Sequence, residues 1–449
     1  MNHDTILNII ILAAGQGTRM NFNYPKLLHL LGGKPILQHV IDLANSLHPN
    51  NVTVIYNEKY EQFNIIKQNS NIIWIKQKKI LGTGYAIKQV INNYNDYENI
   101  LILYGDVPLI SKKSIKKMLT KKKQSSITLL TAKLKIPNEY GRIIRKNKKI
   151  IKIIEYKDAT KNQLNIKEIN SGVFVISSEN LKKWIIKINA NNNQKEFYIT
   201  DVIKLANKEN YIINSVHPID NNEIQGINNL LQLYYAEKTY QKKQAKKLLL
   251  SGVKINNISN FSLRGTLKHG TNIEIDNEVI LEGTVQIGNS VKIESGCIIK
   301  NSIIGDYCHI KSYTIIEKTI ISNHCIAGPF SHLQNGTILK NNTHIGNFVE
   351  IKQTIIGNNS KAKHFSYIGN TTMGKNVNIG AGTITCNYNG KEKLNTIIGD
   401  DVFIGSNTQL IAPINIEKKT IIAAGTTVLK SVNESSLVYN KKKQINKKI

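Results

Sequence analysis

Apolar residues follow three different rhythms along the chain. Over residues 1–228 short apolar runs (Ile9–Leu12, Val52–Tyr56, Ile72–Ile75, Ile100–Tyr104) predict buried strands. Between them, Val40, Ile41, Ala44 and Leu47, and later Ala86, Ile87, Val90 and Ile91, fall at helical spacing. Such alternation predicts a mainly parallel sheet with helices on both faces. Residues 229–251 contain no proline or glycine, and Leu230, Leu233, Tyr234, Ala245, Leu248 and Leu249 form one stripe. That segment predicts a connecting helix of about six turns, stopped at Gly252.

From residue 252 the period becomes six. Ile275, Leu281, Ile287, Ile293 and Ile299 are one such series, and Ile398, Ile404 and Leu410 another. Gly288, Gly305, Gly346, Gly357, Gly369, Gly374, Gly380, Gly399 and Gly405 each follow an aliphatic residue. Neither a helix nor an alternating strand repeats at six. A triangular β-solenoid does: each prism side takes six residues, the aliphatic fills the axis and a small residue turns the corner. The pattern weakens near 327–344 and 385–396, which predicts loops there. Three parts follow: an α/β domain over 1–228, a linker helix over 229–251 and a solenoid over 252–449.

Composition changes this picture little. A length of 449 residues is enough for two or three cores. The net charge of +29 suggests nucleic acid, but only four of the 60 Lys+Arg residues are arginine (Arg19, Arg142, Arg145, Arg264). Base and phosphate readers lean on arginine forks, so no specific nucleic-acid partner is expected. No segment has the length and apolarity of a membrane span, and the first apolar run lacks a signal peptide's basic flank. A cytoplasmic protein without membrane insertion is the expectation. Cys297, Cys308, Cys325 and Cys386 show no C-x-x-C spacing and predict buried thiols rather than disulfides or zinc ligands. The basic tail "NKKKQINKKI" is expected to be disordered.

The first strand exits into "ILAAGQGTRM". A dinucleotide fingerprint would need glycine at position 20, where Met20 stands, and no Gly-Lys-Ser/Thr follows for a Walker loop. What remains is backbone N–H groups at Gly15 and Gly17, then Arg19, then Lys26 after Pro25. Backbone donors with two cations predict an anion cradle. "YGDVPL" sets Asp106 just past another strand at the same sheet edge, where a carboxylate is a natural ligand for a hard cation. "LGTG" at 81–84 opens a helix whose N-terminus can face a polar ligand.

"LAAGQGTRM…PK", "LGTG", "YGDVPL", "YGRI", "EYKDAT", "EIN" and "FYITD" occur in that order. In this order they resemble the sugar-nucleotide pyrophosphorylase family. With the solenoid attached, nearly the whole chain resembles the bacterial bifunctional N-acetylglucosamine-1-phosphate uridylyltransferase/glucosamine-1-phosphate N-acetyltransferases. The resemblance implies a Rossmann-like α/β domain joined by the long helix to a left-handed parallel β-helix of hexapeptide repeats. It implies substrates: glucosamine-1-phosphate and acetyl-CoA for the solenoid, N-acetylglucosamine-1-phosphate and UTP for the α/β domain. Mg²⁺ as cofactor and a homotrimer are implied as well.

Residue roles come with it. Leu12, Ala13, Ala14, Gly15 and Lys26 would contact the nucleotide; Gln77, Gly82 and Thr83 would read the uracil. Tyr104 and Gly105 would line the same UDP-sugar site, Gly141, Glu155 and Asn170 would hold the sugar, and Asp106 and Asn228 would bind the metal. Arg19 would steady the leaving pyrophosphate. His364 would be the acetyl-transfer base, with Lys352, Tyr367 and Asn378 around the sugar phosphate. Ala381, Asn387, Tyr388, Ser406 and Ala424 would lie near acetyl-CoA. Two positions depart from the family pattern: Gln334 and Lys441 stand where it has arginines. Gln334 carries no charge for the sugar phosphate, with His332 or Lys340 as possible substitutes, and Lys441 near the coenzyme loses the guanidinium fork. These departures leave an alternative, a uridylyltransferase alone, with the solenoid as trimerisation scaffold and a weakened or lost acetyltransferase site.

Overall fold

The computed structural model describes residues 6–15, 18–20, 24–57, 66, 72–122, 127–441 and 444–447. Gly17 of the anion cradle and residues 442–443 and 448–449 of the tail lie outside them. The chain divides into two compact units, Met1–Thr239 and Tyr240–Ile449.

In the first unit the strands run, edge to edge, Ile213–Val216, Ile127–Lys133, Glu168–Ser177, Asn99–Tyr104, Leu7–Ala13, Asn51–Asn57 and Ile72–Gln77. Leu7–Ala13 is parallel to both its neighbours, and Asn51–Asn57 is parallel to Ile72–Gln77. The antiparallel strand Glu168–Ser177 interrupts the parallel order. Ile9, Ile10 and Ile11 are wholly buried, because a strand covered on both faces needs apolar residues at every position. One face packs on Ala86, Ile87, Leu181, Trp184 and Val202. The helical pattern through Ile91 is shorter than expected: the α-helix covers Thr83–Lys88, and Ile91–Asn93 forms a separate 3₁₀ turn. The register pairs Leu12 with both Tyr104 and Ile55, and Asn57 with Gln77. Parallel pairing therefore brings the C-terminal ends of four strands to one edge.

The helix between the two patterns spans Leu230–Leu250. Gly252 follows it at φ +94°, the left-handed conformation that ends helices and favours glycine.

The second unit is a continuous ladder of short parallel strands from Val253–Ile255 to Leu437–Val438. Ile299, Ile316, Leu333, Ile351 and Ile368 stack in register from coil to coil, and each is at most 1% exposed. This is the parallel β-helix of hexapeptide repeats that the six-residue period predicts. Cys297, Cys308 and Cys325 are buried in it and unbridged, and burial pushes the Cys297 thiol up to about 11.

One expected loop is absent. Strands Ile326–Ala327, His332–Leu333, Ile338–Leu339 and His344–Lys352 run through 327–344 without a break. The inward series there is Ala327, Leu333, Leu339 and Ile345, and its leucines are followed by Gln334 and Lys340 instead of a small or acidic residue. The spacing of six persists while its usual chemistry lapses. The loop near 385–396 is present, between the strands Ile384–Cys386 and Thr396–Ile398.

Glycine at position 346 is a steric requirement. A Cβ on Gly346 would lie 1.9 Å from the Lys363 carbonyl oxygen of the next coil. Gly346→Ala should therefore destabilise the solenoid by about 1–3 kcal/mol, seen as a lower denaturation midpoint in urea.

Candidate active sites

The strand ends of the first unit open into a cavity of about 460 Å³. Leu12, Ala13, Ala14, Gly15, Arg19, Lys26, Gln77, Gly82, Thr83, Tyr104, Asp106 and Asn228 all line it. Residues from five separate stretches of sequence thus meet on one sheet edge. Gly105 lies under them, its Cα within a methyl's reach of Ala13 and Leu37.

At the centre is a charge cluster. Lys26, only 8% exposed, points its Nζ at Asp106 Oδ2 (2.6 Å) and at Asn228 Oδ1 (3.2 Å). The Asp106 and Asn228 oxygens lie 80 and 202 residues from Lys26 in sequence and would not converge by turn geometry alone; the Asp106 carbonyl fixes the second by accepting from Ile227 N–H at 2.9 Å. An oxygen pair of this kind also suits a hard cation, and the ammonium marks where positive charge is favoured. Arg19 at the mouth pairs with Glu139.

The cavity wall around Gly82 and Thr83 is braced from behind. Gly84 N–H donates to Phe197 O (2.7 Å), Phe197 N–H to Leu81 O (2.8 Å), and Ile199 N–H to Thr83 Oγ1 (3.1 Å). A side chain at Gly82, where φ is +102°, would meet Phe197 O at 2.6 Å. "LGTG" and "FYITD" are thereby one structural unit.

Gly141, Glu155 and Asn170 also come together, though none of them lines the first cavity. Asn170 N–H donates to Gly141 O (2.9 Å), and Gly141 lies against the Glu155 carboxylate. Gly172 N–H donates to Asn170 Oδ1 (3.1 Å), and Gly172 packs on the Tyr104 ring, which links this trio to the cavity wall. Glu155 lines a second cavity of about 540 Å³ and accepts from Thr200 Oγ1 at 2.8 Å. Burial raises its pKa, with Asp158 and Asp201 adding repulsion, and burial likewise raises Tyr104. Sequence reasoning passed over Glu139, Thr200 and Glu196, the last of which also lines the first cavity. Thr200 was inside a motif already recognised, while nothing local marks Glu139 as the partner of Arg19.

The solenoid residues are arranged differently. His364 sits mid-strand in Lys361–Gly369, its Nδ1 3.1 Å from Asn347 Oδ1 one coil earlier. Asn347 was missed, although it is the register partner of His364. Tyr367 is on the same strand, and Lys352 pairs with Gly369 at its far end. Between His364 and Gly369 the chain turns at Phe365, where φ is +36°. Asn387 Nδ2 donates to Asn370 Oδ1 (2.8 Å), and Asn370 N–H to Lys352 O (3.0 Å), so Asn387 joins the Lys352 end. Asn378 pairs with Lys361 at the opposite end. Ala381 O accepts from Asn407 N–H (2.7 Å), Ser406 O from Gly425 N–H (2.8 Å), and Ala424 packs beneath Gly405. Tyr388 and Lys441 are exposed. A single chain spreads these residues over two faces instead of gathering them. Gln334 donates through Nε2 to Glu350, and His332 lies 3.5 Å from Glu317.

A cavity of about 460 Å³ at the strand ends of an α/β sheet, in a chain that continues as a hexapeptide-repeat β-helix, fits a nucleotidyltransferase coupled to a hexapeptide-type transferase. Family models agree: a MobA-like NTP transferase domain matches residues 9–139, a GMPPB C-terminal domain 264–347, and the bacterial transferase hexapeptide (six repeats) 395–430. The chain is 74% identical, over all of both chains, to the bifunctional protein GlmU of Buchnera aphidicola subsp. Baizongia pistaciae. It is 56% identical to the bifunctional protein GlmU of the Acyrthosiphon pisum subspecies, covering 98% of this chain and 96% of that one. The chain belongs to the GlmU family of bifunctional proteins.

The Glu155 environment carries a pH signature. Its carboxyl is raised in the folded state, so ionising it costs stability as pH climbs from the ordinary glutamate range through the raised value. Below the ordinary range no cost exists. Glu155→Gln should thus match the parent's stability in acid and exceed it near neutrality, in urea denaturation followed across pH.

Proposed function

We propose that the chain makes UDP-N-acetylglucosamine in two steps at two separate sites. In the first unit, a phosphate oxygen of N-acetylglucosamine-1-phosphate attacks the α-phosphorus of UTP, and the bond from that phosphorus to the pyrophosphate oxygen breaks. Both reactants are anions and little proton transfer is needed, so alignment and charge neutralisation carry the rate. The observation behind this reading is the convergence of Lys26, Asp106 and Asn228 in a cavity walled by Gly15 and Arg19. Lys26 neutralises the attacked phosphate and Arg19 exchanges Glu139 for the leaving pyrophosphate. Gln77, Gly82 and Thr83 hold the uracil; Gly141, Glu155 and Asn170 hold the sugar. Asp106 and Asn228 would hold Mg²⁺, which supplies further neutralisation of phosphate charge when bound.

In the solenoid, the amine of glucosamine-1-phosphate attacks the acetyl-CoA carbonyl. The amine proton passes to His364, and the coenzyme leaves as thiolate. With Nδ1–H donated to Asn347 Oδ1, Nε2 of His364 holds the accepting lone pair. The spread of Lys352, His364 and Asn378 along one chain supports a homotrimer in which neighbouring copies complete the site. The substrates are cytoplasmic metabolites, and we assign the protein to that compartment; no helix among the described residues is long and apolar enough to cross a membrane.

A second reading, a uridylyltransferase with a solenoid that only trimerises, draws on Gln334. Its amide is spent on Glu350 and brings no charge to a sugar phosphate.

Assaying the half-reactions separately tests both. Asp106→Ala should lower uridylyl transfer by at least 10³-fold and leave acetyl transfer within twofold; His364→Ala should do the reverse. Gln334→Arg should lower the KM for glucosamine-1-phosphate several-fold, and an unchanged KM would remove Gln334 from the site. Absence of thiol release from acetyl-CoA by the parent would favour the second reading.

A further inference from the structure

Tyr140, in "YGRI", has no role in the chemistry above, yet its hydroxyl joins two site-forming segments. It donates to Ile224 O at 3.2 Å and accepts from Gly226 N–H at 3.2 Å. Gly226 and Ile227 are buried, and the next residue is Asn228. The segment is secured further on by Ile227 N–H to Asp106 O (2.9 Å) and by Asn228 N–H to Gln232 Oε1 (2.6 Å). Tyr140 thus governs how the chain approaches Asn228, while Asp106 and Gln232 govern how it leaves.

The tyrosine is itself fixed. Arg142 is only 2% exposed, and its guanidinium donates to the carbonyls of Tyr140 and of Asn138 (2.9 Å), and to Leu164 O at 3.4 Å. A buried guanidinium that spends its donors on backbone carbonyls stiffens the turn Asn138–Arg142. That turn also carries Glu139, the partner of Arg19, and Gly141, whose carbonyl accepts from Asn170.

We infer that Tyr140 is a positioning residue for uridylyl transfer: through the Ile224–Gly226 backbone it sets the distance between the Asn228 amide oxygen and the Asp106 carboxylate. Removing one hydroxyl leaves the buried Gly226 amide without this acceptor, and the segment must shift to find another. The uracil wall around Gly82 and Thr83 is braced by Phe197 and Ile199, on different contacts. Metal affinity should therefore change while nucleotide recognition does not. The inference rests on Asp106 and Asn228 holding the cation, as proposed above.

The test is Mn²⁺ titration of the full chain with UDP-N-acetylglucosamine present, read by loss of the free-ion electron paramagnetic resonance signal. Parent, Tyr140→Phe, Asn228→Ala and the double variant are compared. Tyr140→Phe should weaken Mn²⁺ binding about tenfold, add nothing further in the Asn228→Ala background, and leave KM for UTP and the acetyl half-reaction within twofold. Amide exchange over residues 224–228 should quicken in Tyr140→Phe. Mn²⁺ affinity within twofold of the parent, or an additive loss in the double variant, would overturn the inference. If Asn228→Ala itself leaves Mn²⁺ binding unchanged, the metal assignment fails first and this inference with it.

Discussion

The first site depends on the attraction between Lys26 and Asp106 at 2.6 Å, in a position mostly removed from solvent. An ammonium and a carboxylate held this way are stable only as a pair with further hydrogen bonding, which Asn228 supplies. The pair pins the loop after the first strand to the loop after Asn99–Tyr104, and it is also a poised exchange. In the proposed reaction a phosphate takes Lys26, and a cation takes the oxygens that Lys26 leaves. Sheet register makes this possible, because parallel neighbours end at the same edge and their loops have no choice but to meet.

The solenoid solves a different problem with a different device. Its axis is filled by one aliphatic per side, and at corners such as Gly346 the next coil's backbone leaves no room for a Cβ. Each coil contacts only its neighbours, so substitutions on the faces carry chemistry at little cost to the fold. That freedom lets a residue such as Gln334 replace the family's arginine without disturbing the stack: Leu333 beside it remains wholly buried. The same linear architecture sets Lys352, His364 and Asn378 on three different strands of the stack.

Much of this was legible from residue patterns. Continuous apolar runs, a period of 3.6 and a period of six separated the sheet, the long helix and the solenoid, because each pattern reports which side chains face a core. Gly15, Gly17, Arg19 and Lys26 were legible as an anion cradle, and Asp106 as a cation ligand at the same sheet edge, from residue type and strand ends alone. Asn228 was not, since an asparagine before a helix reads as a cap; only the resemblance assigned it. Glu139, Asn347 and Tyr140 act through partners 120, 17 and 86 residues away, and no local pattern encodes such pairings. The missing loop at 327–344 shows the converse: leucine followed by Gln334 or Lys340 hid a period that the backbone had kept.

A crystal structure with UDP-N-acetylglucosamine and Mg²⁺ bound tests the account most directly. The account predicts the cation between Asp106 and Asn228, the diphosphate against Gly15 and Lys26, and the Lys26–Asp106 contact opened. A nucleotide bound elsewhere, or one bound here with that contact intact and no cation beside it, would contradict it.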